Sequence, residues 1–416
     1  MKKEDCNNLS NETKLLHEAY PEKDPYNALT MPVYHAVAYD FETAAQMEAA
    51  FTGKSPEHVY SRISNPTVRH FENRVKSVTN AAAVISFNSG MAAIANTMMT
   101  VAYSGCNIVT SPHLFGNTYS FFTATLKAFG VETRFCDLTN PAEAEACIDQ
   151  NTCALFLEII TNPQMEIADL RALSAVCRTH GVPLIADTTI VPFTVFCAAD
   201  FGVDIEVVSS TKYISGGATS LGGLVIDYGS FDWQHSEKLR YLVNRTEWSA
   251  FSAKMRMELH RNLGACMTPH VAYMQTTGLE TLSVRYRRAV ETCRELAKKT
   301  GELPEVLSVN YPALAGHPCH DICRRQFGEY AGAMFTFDLP SREAAFRFID
   351  RLKLIRRATN LFDNKTLALH PASTIFGTFT EETRRSMDIS QRTIRISVGL
   401  EPVTDLYNDI AQAAGK

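Results

Sequence analysis

From about residue 80 to about residue 230, short apolar runs alternate with longer stretches of helical period. The runs 82–87, 106–110, 131–136, 153–160, 183–187 and 205–209 are predicted strands. Several are unbroken apolar segments, the pattern of strands covered on both faces. Helices fit between them. Asn140, Pro141 and Glu143 supply a cap, a first-turn proline and a first-turn acid. A second helix runs over 170–180 and ends at Gly181-Val182-Pro183. Such alternation predicts an α/β fold with a mostly parallel, doubly wound sheet. Ligands of such sheets gather at the carboxyl ends of the strands. The places to search are therefore Ser89 and segments 112–116, 158–163, 187–189 and 209–212.

The pattern changes after about residue 235. Helical stretches rich in Arg and Leu run to about residue 300. Strand-like pieces at 332–338 and 393–398 follow, around a helix starting near Ser341. This predicts a smaller α+β C-terminal domain. Residues 1–60 are polar and contain prolines, as in an arm. The expected division is an arm at 1–60, an α/β domain at 61–262 and an α+β domain at 263–416.

Composition narrows the class. The 416 residues are 45% hydrophobic and 20% charged, with a formal net charge of −5. No dense Lys/Arg block is present, so neither nucleic acid nor an anionic membrane is an expected partner. Residues 1–20 lack the apolar core of a secretory signal, and no apolar run is long enough to span a bilayer. Eleven scattered cysteines without CxxC pairs point to reduced thiols and a cytoplasmic location.

The chemistry starts from two residues. Asp187 ends an apolar run, where an acid needs a cationic or donor partner. Alone it is more often a structural carboxylate. Lys212 directly follows a buried strand and is framed by Ser209, Ser210 and Thr211. Alone such a lysine more often snorkels to solvent. Together they stand at two strand ends of one sheet, 25 positions apart. Pyridoxal phosphate (PLP) needs that pair: a lysine for its aldehyde and a carboxylate to keep its pyridine nitrogen protonated. At Phe87–Ala93 a strand, a tight turn at Ser89-Gly90 and a helix follow one another, an arrangement suited to phosphate. Arg395 lies on one face of an alternating strand with Thr393 and Ser397. It is either a clamp for a substrate carboxylate or a solvent-facing arginine on an edge strand.

Eight stretches resemble the Cys/Met-metabolism (trans-sulfuration) family of PLP enzymes over about residues 28–412. They are YSRISNPT (60–67), NSGMAAI (88–94), HLFGNTY (113–119), EIITNP (158–163), ADTT (186–189), SSTKYISGG (209–217), HPAST (370–374) and RISVGLE (395–401). The resemblance implies PLP fold type I, aspartate-aminotransferase-like, with a mostly parallel seven-stranded sheet. It implies that Lys212 carries the cofactor and shuttles protons, and that Asp187 pairs with the pyridine nitrogen. Gly90, Met91, Ser209 and Thr211 then hold the phosphate, Asn162 approaches the ring hydroxyl, and Thr189 and Phe115 border the ring. Tyr60 and Arg62 match residues that reach a neighbouring subunit's phosphate. The expected assembly is thus a homo-oligomer, a dimer of dimers, with a shared active site.

The segments 214–223, 261–285 and 358–374 are most similar to the O-acetylhomoserine sulfhydrylase branch. That branch places Arg395 and Asn360 at the substrate and implies γ-replacement giving homocysteine and acetate. A γ-lyase and a cystathionine γ-synthase stay open within the family. A nicotinamide-dependent dehydrogenase and a non-catalytic PLP-binding protein are remote alternatives. The chain departs from the family at several positions. Phe115 stands where a tyrosine is usual, keeping a stacking face but no hydroxyl, so Tyr60 or Lys212 must cover its proton transfer. Thr188 replaces a common asparagine, Gly216-Gly217 a usual Gly-His pair, and Phe362 a common glycine. Asn117 replaces the cysteine typical of methionine γ-lyases. The segment 317–323 has the look of a metal cluster but lacks a second ligand pair; it reads instead as a surface loop entering a strand, with no metal.

Overall fold

The computed structural model describes residues 9–17 and 24–415. The polar stretch 1–20, read above as lacking a secretory core, lies outside these residues except for 9–17.

Among the described residues, two sheets organise the chain. The first contains β1 (Ala83–Phe87), β2 (Asn107–Thr110), β3 (Glu132–Phe135), β4 (Thr152–Glu158), β5 (Leu184–Asp187), β6 (Ile205–Val208) and β7 (Gly223–Asp227), in the order β1-β7-β6-β5-β4-β2-β3. The pairs β2–β3, β2–β4, β4–β5 and β5–β6 are parallel. β7, which the apolar runs did not flag, is antiparallel to both β1 and β6. Alternate residues feed opposite faces. Ile85, Phe156, Ile185 and Val207 enter one apolar cluster, and Val84, Leu157, Ala186 and Val208 enter another. Strands buried on both faces explain the unbroken apolar runs.

The caps set where the connections turn. Asn140 Oδ1 accepts from the Ala142 N–H at 3.2 Å ahead of a helix over Pro141–Cys147. Asp169 caps Leu170–His180, which ends at Gly181 with φ 63°.

The second sheet contains β8 (Ser308–Asn310), β9 (Met334–Asp338), β10 (Arg356–Arg357), β11 (Leu367–Leu369) and β12 (Thr393–Ser397), in the order β10-β11-β12-β9-β8. Its buried face shares a cluster with the first sheet through Phe335, Phe337, Ile394 and Ile396. The helix expected near Ser341 is present, capped by Ser341.

Three expectations are corrected. β12 lies between β11 and β9 and Arg395 is only 2% exposed, so the edge-strand reading of Arg395 fails. Trp233–His235 and Arg240–Leu242 form short 3-10 turns, and the longer helical stretches begin only at Ala250: 250–263, Pro269–Glu280 and Leu282–Thr300. Segment 317–319 leads into a helix, His320–Phe327, rather than a strand. His317 Nε2 bonds Asn310 Oδ1 at 2.6 Å, and His320 Nδ1 donates to the Pro312 carbonyl at 3.1 Å. Those bonds tie the imidazoles into the turn, and no metal-binding group of three ligands occurs among the described residues.

Candidate active site

The carboxyl ends of β4, β5 and β6 bring the chemistry together. Asp187 closes β5, and its Oδ1 accepts the Thr189 N–H at 2.9 Å. Thr189 Oγ1 in turn accepts the Ser209 N–H at 2.8 Å. One chain of bonds therefore fixes the ends of two adjacent strands. Burial pushes the Asp187 carboxyl up, opposed by the Thr189 hydrogen bonds and by the Lys212 cation.

Lys212 follows β6 at the head of a 3-10 turn over Tyr213–Ser215. Its Nζ donates to Asn360 Oδ1 at 3.0 Å. Burial and the Arg395 guanidinium lower its pKa to about 8, against the pull of Asp187. Below that pH the amine is charged; above it, it is a free nucleophile.

Arg395 reaches the same place from β12. Its guanidinium donates to Asn162 Oδ1 at 3.1 Å and to the Thr359 and Asn360 carbonyls at 3.3 Å each. Its Nε is buried with no hydrogen-bond partner, which leaves a donor for another group. Lys212, Asn360, Arg395 and Asn162 thus form one continuous polar network.

On the other side, Ser89 caps a 12-residue helix, Gly90–Val101, accepting the Ala92 N–H at 3.1 Å. The amides of Gly90 and Met91 lie in its first turn, where no preceding carbonyl can satisfy them. A Cβ on Gly90 would meet Ser209 Cβ at 2.7 Å, so only glycine lets this helix end approach the turn after β6. The Thr211 hydroxyl donates to the Gly222 carbonyl at 3.1 Å and accepts the Gly222 N–H at 3.0 Å, which fixes it at the turn after β6.

These features fit PLP. A low-pKa lysine, a carboxylate on the neighbouring strand and an open helix N-terminus supply what the aldehyde, the ring nitrogen and the phosphate each require.

Phe115 heads the short helix Gly116–Ser120, and its N–H donates to Glu158 Oε1 at 2.6 Å. Two residues earlier, His113 bridges Glu166 at 3.2 Å and Asp388 at 3.0 Å. Tyr60 and Arg62 stand apart from this network. Arg62 bonds the Arg261 carbonyl and lies 5.3 Å over the Tyr60 ring, while Tyr60 pairs with Ala38.

The sequence reading assigned no role to Glu158, which interrupts the apolar run 153–160 and closes β4 in the structure. Phe362, read above as replacing a common glycine, takes φ 55°, a conformation that favours glycine, and stacks on Tyr213 at 4.2 Å. Thr188 bonds the buried Glu206 on the far face of β5.

Comparison with known proteins agrees with this geometry. The family model "Cys/Met metabolism PLP-dependent enzyme" matches residues 12–414. A solved O-acetylhomoserine (thiol)-lyase of Campylobacter jejuni subsp. jejuni, carrying a pyridoxyl-lysine monophosphate, superposes with a TM-score of 0.92. It is 33% identical, over 98% of this chain and 100% of that one. A solved O-acetylhomoserine sulfhydrylase of Wolinella succinogenes is 44% identical, with a TM-score of 0.76 over 85% of this chain and 98% of that one. O-acetyl-L-homoserine sulfhydrylase 1 of Thermus thermophilus is 35% identical, over 97% of this chain and 99% of its own length. With a family match over nearly its whole length and a lysine, acid and helix end arranged for the cofactor, the chain belongs to the Cys/Met-metabolism family of PLP-dependent enzymes, of fold type I.

Proposed function

We propose that the protein performs γ-replacement on O-acetyl-L-homoserine with a sulfur nucleophile, giving L-homocysteine and acetate. The observation that carries this reading is the buried Arg395 fork, joined through Asn360 to the Lys212 amine. An amino acid whose carboxylate meets Arg395 has its Cα beside that amine. The names of the relatives supply the substrate class.

PLP, when bound, supplies an electron sink for the charge that develops at Cα. The protein's residues do the rest. Asp187 would meet the ring nitrogen, and Asn162 and Thr189 would border the ring. Gly90, Met91, Ser209 and Thr211 would hold the phosphate. Lys212 would take the Cα proton, a Cβ proton would be lost and acetate would depart from Cγ; the sulfur nucleophile would add at Cγ as it loses its proton, and protons would return to Cβ and then, from Lys212, to Cα. Phe115 offers a stacking face without a hydroxyl, so Lys212 and Tyr60 carry the proton traffic.

The site draws on both sheets, which supports a cofactor-carrying domain over 61–262 and a closing domain over 263–416, with an arm before them. We propose a cytoplasmic homotetramer in which Tyr60 and Arg62 complete the neighbour's phosphate site. Tyr60 is 39% exposed, and Tyr26, Leu29 and Val37 present apolar surface on the same arm. No helix among the described residues is long and apolar enough to cross a membrane.

Product analysis with O-acetylhomoserine tests the reaction. Homocysteine appearing only when sulfide is present is the expected result. Release of 2-oxobutyrate and ammonia regardless of sulfide would identify a lyase instead.

A further inference from the structure

We propose that Glu158 is a positioning residue for this site: its carboxyl seats Phe115 through the backbone and stands beside Asp187 on the neighbouring strand. The proposal rests on the reading above, in which Phe115 and Asp187 flank the cofactor.

The local sequence isolates the group. Ala154, Leu155, Phe156 and Leu157 are fully buried along β4, and Glu158 breaks the run at the strand end. β4 and β5 are parallel and in register, pairing Glu158 with Asp187. Paired residues project to the same face of a sheet with their Cβ atoms about 5 Å apart. The two carboxyls are therefore neighbours.

Two adjacent carboxyls in a protein-walled site do not both ionise without penalty. Asp187 has the better support for charge, from the Thr189 N–H and the Lys212 amine. Burial and the Asp187 charge push Glu158 well above the usual carboxylate range, against the opposing pull of the Phe115 and Asn162 backbone N–H groups. Glu158 thus serves as a neutral acceptor for the Phe115 N–H and leaves the charge on Asp187.

The Phe115 amide needs such an acceptor. It opens the helix Gly116–Ser120, where no side chain caps the first turn. Upstream, the same loop is held by His113 on Glu166 and Asp388. Glu158 and His113 together fix the Phe115 backbone, and with it the plane and depth of the ring.

A glutamine keeps the accepting oxygen and the neutral charge; an alanine removes the oxygen. The test compares wild-type holoenzyme with Glu158→Gln and Glu158→Ala. The readouts are visible circular dichroism of the bound cofactor, the affinity of the apo protein for added PLP, and KM against kcat. The glutamine variant is expected to stay within about threefold of wild type on each. The alanine variant should keep a borohydride-sensitive visible absorbance from Lys212. It should lose at least about half of the dichroism and bind PLP about tenfold more weakly, as the loss of one buried hydrogen bond implies.

Wild-type dichroism and PLP affinity in the alanine variant overturn the proposal, and so does a glutamine variant as damaged as the alanine. If Glu158→Ala does not unfold cooperatively, Glu158→Asp replaces it, since it retracts the acceptor by one methylene. Its dichroism should fall in the same direction, and an unchanged signal overturns the proposal. Wild-type protein with no borohydride-sensitive absorbance would refute the cofactor assignment itself, a distinct failure that also removes this proposal's footing.

Discussion

Lys212 is buried beside the Arg395 guanidinium, and both work against a charge on its amine. With its pKa near 8, about half the amines are neutral at that pH. An ordinary lysine at pH 8 is neutral less than about 1% of the time. Apo protein should therefore recombine with PLP at a rate that rises with pH through a midpoint near 8. A midpoint near that of free lysine would contradict the burial seen here. At this scale much was legible. Asp187 and Lys212 each stand at the end of an apolar run, a position where a charged residue needs a reason. Glu158 interrupts its apolar run rather than ending it, and its partner is a backbone N–H from residue 115, a pairing that leaves no trace in sequence spacing. The environment of Arg395 was also hidden, because alternation gives the face of a strand and not its place in the sheet.

Elements matter here mainly for what they hold in place. The helix Pro269–Glu280 packs under the loop after Lys212, and Gly278 makes the contact possible. A Cβ there would lie 2.0 Å from the Ile214 carbonyl oxygen. Gly278→Ala gains about 1 kcal/mol of helix propensity. Overpacking against backbone costs about 3 kcal/mol, so a net loss of about 2 kcal/mol is expected. The unfolding midpoint should fall and cofactor affinity should fall with it, since the displaced loop carries Lys212. Unchanged stability and affinity would show that the helix gives way freely. The parallel strands and capped helices were readable because their periods and caps are local. β7 was not, since its LVID core sits among glycines and pairs antiparallel with β1, distant in sequence, and with the preceding strand β6. The segment at His317 was expected to enter a strand; it leads instead into the helix His320–Phe327, with its imidazoles bonded to Asn310 and Pro312.

On the scale of the whole molecule, distant segments are joined through buried polar groups. His70 Nε2 accepts from Arg74 Nε at 3.0 Å, and Arg74 also bonds the Leu15 carbonyl and Glu280. Burial and Arg74 lower the His70 pKa to about 3, below its unfolded value of 6.5. A depressed folded-state pKa means the unfolded chain takes up the proton first, so this site loses stability as pH falls below about 6.5. His70→Gln has no such proton to take up. Its disadvantage in thermal midpoint relative to wild type should shrink between pH 7 and pH 5; a gap independent of pH would contradict the assignment. The account as a whole rests on Lys212 as the residue that bonds the cofactor. Borohydride reduction of the PLP-loaded protein, followed by peptide mapping, measures this directly. The pyridoxyl mass should be found on the peptide containing Lys212, and its appearance on another lysine, or on none, would contradict the account.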